Sequence, residues 1–158
     1  MLFQQLNRTD AEKVFIIVKN TSGGTLAANV PVYFETDEQS DGIAVSQMAP
    51  TIGANLLFAG INHASLADEG FGLVQVYGRR TSAVVSPVVS AYSAVPGTRL
   101  IGVAGAAYLA YGSMLSAGII SETLNVQGIE DFVISMETIA SADGKSATSN
   151  AIVFIRAL

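Results

Sequence analysis

The sequence contains no cysteine, no tryptophan and a single histidine, His63. Without cysteine there is no disulfide framework, no thiolate metal site and no cysteine nucleophile. One histidine leaves little material for a zinc site or a Ser-His-Asp arrangement. A Gly-x-Ser-x-Gly elbow, a Gly-x-Gly-x-x-Gly loop and a Walker loop are also missing from the sequence. We therefore predict no enzyme activity, no catalytic residue, no metal and no cofactor.

Charge is the second scarcity. Only 13% of the 158 residues are charged, against roughly 25% in an ordinary soluble domain, whereas 50% are hydrophobic. The hydrophobic content excludes a disordered chain, and the formal net charge of −5 argues against a nucleic-acid partner. A surface with few charges tends to associate. We therefore expect copies of the chain, or another partner, to cover much of its surface.

Short apolar runs separated by turn-forming residues predict a β-rich fold. The runs are rich in β-branched and aromatic residues and recur at intervals of about ten residues: 14–18, 30–34, 43–45, 56–61, 72–78, 83–85 and 151–155. Turn formers at 20–24 make the run at 30–34 the expected hairpin partner of the first run, and Pro96-Gly97 fits the centre of a type II turn. The pattern predicts an all-β fold, a compact antiparallel barrel or sandwich of short strands with long loops and little helix.

The chain length fits a single domain. Residues 1–12 are polar and predict an N-terminal arm, and residues 13–158 then form one β-rich domain. The arm has no apolar segment of the kind found in cleavable signals, so we expect synthesis in the cytoplasm.

Two segments do not fit this pattern easily. No charged residue lies between Arg99 and Glu122, and an apolar stretch of about 20 residues can cross a bilayer. Its glycines, serines and tyrosines favour a small-residue barrel segment or an interface over a membrane span. In residues 129–140 the apolar positions follow helical spacing, although Phe132-Val133-Ile134 also suits a buried strand.

Three clusters of polar residues contain groups that could carry chemistry. The acidic stretch 35–42 resembles part of a calcium loop, but Met48 occupies the position of the bidentate glutamate, so a solvated hairpin tip is favoured. His63 has Ser65, Asp68 and Glu69 nearby in sequence, which keeps a hydrolase as a remote alternative. Arg79-Arg80 could contact an acidic partner, although such a pair more often ends a strand in water.

Residues 58–61 (FAGI) and 67–78 (ADEGFGLVQVYG) form a glycine-rich pattern. This pattern resembles one in small structural proteins of tailed bacteriophages, and the opening segment 18–26 and the ending 151–158 are similar to the corresponding parts of those proteins. The resemblance covers the first half and the last strand, and residues 82–130 only loosely. It implies a phage head decoration (cement) protein or a close relative. If residues 132–137 match the penultimate strand of such proteins, the ambiguous segment is a strand.

The resemblance also implies a location and partners. Such proteins are β-rich and often trimeric, and they bind the outside of an expanded capsid and clamp its subunits together. For this chain we therefore expect a homotrimer on the capsid exterior of a virion, with the major capsid protein as partner and no nucleic acid or membrane. The charge-free segment supplies the hypothetical interface residues: Leu100, Ala106, Tyr108, Ala110, Tyr111 and Met114.

Three other functions remain open from the sequence. A tail-tube or tail-completion protein, or the base of a head fibre, would share the same β-rich, assembling character. A small membrane protein would use the charge-free segment as its span. A hydrolase would depend on His63.

Overall fold

The computed structural model describes residues 12–35, 42–47, 57–87, 93–102, 106–111, 133–139 and 148–157. In these ranges the chain forms strands and connecting turns, without an α-helix. The strands are β1 (Lys13–Asn20), β2 (Pro31–Phe34), β3 (Ala44–Ser46), β4 (Phe58–Asn62), β5 (Phe71–Pro87), β6 (Arg99–Gly102), β7 (Leu109–Tyr111), β8 (Val133–Ser135) and β9 (Ser149–Arg156). The all-β prediction is confirmed.

The strands close into two rings that share β5. The first ring runs β1-β3-β2-β4-β5 and returns to β1, and the second runs β5-β7-β6-β8-β9 and returns to β5. Both rings contain one parallel pair, β1 with β3 and β5 with β7. The arrangement is therefore neither a single barrel nor purely antiparallel, and β5, with 17 residues, is much longer than the short strands we predicted.

Each ring encloses its own hydrophobic core. All five strands of the first ring contribute to one cluster, which contains Val18, Val32, Val45, Ala59, Val74 and Val76. All five strands of the second ring contribute to another, which contains Val85, Leu100, Leu109, Val133, Val153 and Ile155. Tyr33, Phe58 and Ile61 from β2 and β4 also belong to the second cluster. The two rings are thus joined through a shared strand and through packed side chains.

A one-residue bulge lets β5 serve both cores. Arg80 is paired with Val153 of β9, whereas Ala83 is paired with Ala151, so β5 has one extra residue in this interval. An extra residue moves the following side chains to the opposite face of a strand. The core residues of β5 accordingly change from Val74 and Val76 to Ala83 and Val85, and the strand continues through the Arg79-Arg80 pair that we expected to end it.

The expected pairing of the first two strands is wrong. β1 pairs with β3 and β5, and β2 pairs with β3 and β4. The buried Asn20 side chain instead holds the segment after β1 in a wide loop, because its amide donates to the carbonyls of Gly24 (2.7 Å) and Leu66 (3.1 Å). Leu26 then forms an isolated bridge with Leu66, so the loop covers the first core rather than reversing tightly into β2.

Two local predictions near the end of the chain are confirmed. Val133–Ser135 is strand β8, so the helical spacing was misleading for the described residues 133–139, and Ile139 forms a bridge with Ala94. Gly97 has a φ of 91°, and the Thr98 N–H donates to the Val95 carbonyl at 2.9 Å, as a type II turn requires. Residues 1–11 lie outside the described residues, so the N-terminal arm and the single-domain division stay predictions.

Candidate interaction surface

Three large apolar side chains are exposed beside one another on the outside of the first ring. Ile17 of β1 and Leu73 of β5 are cross-strand partners, and Phe71 lies two residues before Leu73 on the same face. Their exposed fractions are 65% for Ile17, 63% for Phe71 and 45% for Leu73. We call these three residues the apolar patch. It is bordered by Lys19, the cross-strand partner of Phe71, which forms a salt bridge with Glu69.

A cavity of about 190 Å³ opens on the same face as the apolar patch. Phe15 and Gln75 line it, and they are the next residues on that face after Ile17 and Leu73. His63 also lines it, and its backbone N–H donates to the Leu73 carbonyl at 2.9 Å. The His63 and Phe15 rings meet edge to face with centroids 5.3 Å apart. The patch and the cavity therefore form one surface across β1, β5 and the segment that follows β4.

Arg80 is the most deeply buried charged residue of the cavity lining, at 8% exposure. Its Nε donates to the Ser82 carbonyl at 3.1 Å, and its Nη1 lies 3.0 Å from His63 Nδ1. Its Nη2 donates to Asn29 Oδ1 at 2.5 Å and to the carbonyls of Asn62 (3.1 Å) and His63 (3.2 Å). A guanidinium has only donors, so His63 Nδ1 must accept and the ring proton must be on Nε2.

The local backbone explains how these acceptors meet around Arg80. Asn29 has a φ of 67°, a left-handed conformation that asparagine tolerates better than most residues. Its N–H donates to the Asn62 carbonyl at 2.9 Å, and its carbonyl accepts from the Val84 N–H at 2.9 Å. The turn before β2 is thereby fixed to β4 and β5. Because Val84 follows the β5 bulge, the same contacts hold the Asn29 side chain beside Arg80.

The cavity is positively charged. Its eight lining residues include two cations, Lys13 and Arg80, and no carboxylate. Burial lowers the pKa of Arg80 from its ordinary value, because removal from water disfavours the charged form. Arginine nevertheless keeps its charge in proteins. Within the part of the chain that the structure describes, no carboxylate pairs with Arg80.

The hypothetical interface residues fall in several different environments. Leu100 and Ala110 are buried, with 3% and 0% exposure, so their side chains offer little surface to a neighbouring subunit. Ala106 and Tyr108 are partly exposed in the segment before β7, and Tyr111 is the last residue of that strand. Met114 lies outside the described residues. An interface formed by this segment stays a prediction.

The two acidic residues near His63 in sequence are directed elsewhere. Asp68 Oδ1 accepts from the Gly23 N–H at 3.0 Å, and Glu69 pairs with Lys19. Residues 36–41 of the acidic stretch lie outside the described residues. Among the residues that the structure describes, no group of three or more potential metal ligands occurs, and no helix is long and apolar enough to cross a membrane.

Sequence reasoning identified neither the apolar patch nor the cavity. The run 14–18 is apolar at every position, so alternation could not show that Ile17 points outward. For the cavity, the pair Arg79-Arg80 is the available signal in the sequence, and contact with an acidic partner is one interpretation of it. The separation of the two arginines, one exposed and one buried, depends on distant Asn29 and Asn62.

No protein-family model matches the sequence, and no curated protein matches it.

Proposed function

We propose that this chain is a structural protein of a bacteriophage virion, which binds the outer surface of the capsid and stabilises the mature shell. The single observation that best supports the proposal is the apolar patch. Ile17, Phe71 and Leu73 stand exposed on a well-paired sheet whose alternate residues fill a core. Exposed apolar side chains that adjoin one another mark interaction sites more often than isolated ones do. The resemblance to phage structural proteins suggests which partner covers them.

The size of the patch gives a useful estimate of its contribution. Full burial of a large apolar side chain is worth about 1.5 to 3 kcal/mol. Scaled by the exposed fractions of these three residues, burial of the whole patch contributes about 3 to 5 kcal/mol per copy. That energy is modest for one molecule. Repeated at symmetry-related positions of a shell, it becomes collectively strong, and binding to the assembled shell alone stabilises that shell by mass action.

The test is binding to bare, expanded capsids of the phage that encodes the chain, followed by electron microscopy of surface occupancy. We expect the unmodified chain to occupy the outer surface. The double variant Ile17→Ser and Leu73→Ser should lose about 30- to 100-fold in affinity, which corresponds to roughly 2 to 3 kcal/mol. Val95→Ser is the matched control, because Val95 is 57% exposed on a turn of the second ring.

Two results would contradict the proposal. One is a chain that leaves capsids bare at concentrations well above those in an infected cell. The other is equal binding by the patch variant and by the Val95→Ser control. Assembly of the purified chain into stacked rings would instead support the tail-tube alternative.

A further inference from the structure

We infer that the cavity beside Arg80 binds a carboxylate, supplied by an aspartate or glutamate side chain of a partner polypeptide that also covers the apolar patch. The identity of the partner rests on the proposed capsid-binding function. The preference of the cavity for a carboxylate rests on the side chains that line it.

The first observation is a buried charge without a counter-charge. Arg80 is only 8% exposed, and fully or nearly buried arginines are usually paired with an acid. Its acceptors are all neutral: the Asn29 amide oxygen, His63 Nδ1 and three backbone carbonyls. These acceptors satisfy hydrogen bonds but leave the positive charge uncompensated.

The second observation is an unused donor on the same side chain. A guanidinium has five N–H groups, two of them on Nη1. Nη1 of Arg80 makes one contact, to His63 Nδ1, so its other N–H has no acceptor among the described residues. A ligand oxygen in the cavity would accept this hydrogen bond, and a charged acceptor makes it about twice as strong as a neutral one does.

The rest of the lining favours an anion of small size. Lys13 adds a second positive charge, and the hydroxyl-bearing Thr81 and Ser82 add neutral donors. A volume of about 190 Å³ accommodates the carboxylate end of one side chain and excludes a nucleotide. The cavity therefore combines two cations, neutral donors and limited space, which together match a single carboxyl group.

The surroundings of the cavity favour a side chain of a protein over a free ion. The cavity adjoins the apolar patch along β1 and β5, and a free ion would leave that patch exposed. The chain as a whole has a net charge of −5, which repels nucleic acids and other polyanions at long range. A polypeptide that presents one acidic residue beside apolar ones satisfies both parts of the surface.

The carboxylate preference is tested on the purified chain with small probes. N-acetyl-glutamate amide is titrated while the Arg80 Nε–H and His63 Nε2–H signals are followed by nuclear magnetic resonance, with N-acetyl-glutamine amide as the uncharged control. We expect saturable shifts at both residues with the glutamate probe and none with the glutamine probe. Inorganic phosphate, titrated in the same way, should bind more weakly.

Matched variants then assign the binding to the cavity. Lys13→Gln and Arg79→Gln change the net charge equally, but Arg79 is exposed and does not line the cavity. We expect Lys13→Gln to weaken the glutamate probe about threefold to fivefold and Arg79→Gln to leave it unchanged. Arg80→Lys should weaken it at least tenfold, because lysine cannot reproduce the planar fork. If Arg80→Lys does not fold, the comparison of Lys13→Gln with Arg79→Gln still shows whether the probe binds in the cavity.

Several outcomes would overturn the inference. Equal weakening of glutamate-probe binding by Lys13→Gln and Arg79→Gln would show that the probe responds to net charge alone. Tighter binding of phosphate than of the glutamate probe would refute the carboxylate assignment. Self-association that Lys13→Gln abolishes and Arg79→Gln preserves would make the carboxylate donor a second copy of this chain rather than a different polypeptide. If the chain binds the probe saturably but leaves capsids bare, the proposed function alone is contradicted. If the chain binds capsids but not the probe, the carboxylate site alone is contradicted.

Discussion

Replacing Tyr33 with phenylalanine should stabilise the protein. Tyr33 is fully buried on β2 and packs edge to face against Phe58, with ring centroids 5.9 Å apart. Its hydroxyl is buried and has no hydrogen-bond partner among the described residues. A buried, unsatisfied polar group costs about 1 to 3 kcal/mol, and the substitution removes it while the ring and its packing remain. After allowance for the lost packing of one oxygen, we expect a gain of about 1 kcal/mol in the free energy of unfolding.

The same substitution should change how stability depends on alkaline pH. Burial raises the pKa of Tyr33 far above its ordinary value, because the site disfavours the charged phenolate. Above about pH 10 the unfolded chain releases this proton while the folded chain keeps it, so stability falls as pH rises. The loss is roughly 1.4 kcal/mol per pH unit for one tyrosine. Tyr33→Phe removes this contribution.

The measurement is urea unfolding of the two proteins at neutral pH and at several values above pH 10, with Tyr77→Phe as the matched control. Tyr77 is partly exposed and packs edge to face against Phe154, so its substitution should change stability by less than about 0.5 kcal/mol. We also expect a rise of about 2 to 4 °C in the melting temperature of Tyr33→Phe. If Tyr33→Phe destabilises the chain by 1 kcal/mol or more, the hydroxyl has a partner and the reasoning fails.

Three further predictions concern backbone and side-chain geometry. The neutral His63 ring should be the Nε2–H tautomer, because Arg80 donates to Nδ1, and nitrogen chemical shifts of the ring distinguish the two tautomers. Gly60→Ala should cost more than 3 kcal/mol, since φ is 141° and a Cβ would overlap the Gln75 carbonyl oxygen, whereas Gly97→Ala in open space should cost only about 1 kcal/mol, as chemical denaturation can show. Asn20→Ala should lower stability by about 2 to 4 kcal/mol in the same assay, because it leaves several loop groups without partners.

The sequence predicted strands well where an apolar run had clear borders. The run 151–155 lies within β9, and Pro31 is the first residue of β2, where its missing N–H costs little. The sequence pattern predicts two separate strands in place of β5, because a bulge interrupts the alternation of β5 and two arginines interrupt its apolar character. Its length depends on pairing with both β1 and β9, which is not encoded locally.

The strand pairing and the candidate surface could not be predicted from local sequence either, because both depend on contacts between distant segments. The turn-forming residues after β1 suggested a hairpin. They instead belong to a loop that is held by hydrogen bonds of Asn20 and covers the first core. The cavity requires Asn29, His63 and Arg80 to meet from three separate segments. Propensity and spacing describe neighbours in sequence, so neither could show that these side chains converge.

The shared strand has a consequence for the order in which the chain folds during synthesis. At Tyr77 and Gly78, β5 pairs with β1 on one edge and with β9 on the other. Every strand of the first ring has left the ribosome once β5 has, whereas one edge of β5 waits for β9, which is made last of all the described strands. Pairing β9 with β5 closes a long loop of the chain, which is slow. Until then the unpaired edge of β5 can pair with other nascent chains. The burden on cellular chaperones therefore falls on the interval between the synthesis of β5 and that of β9.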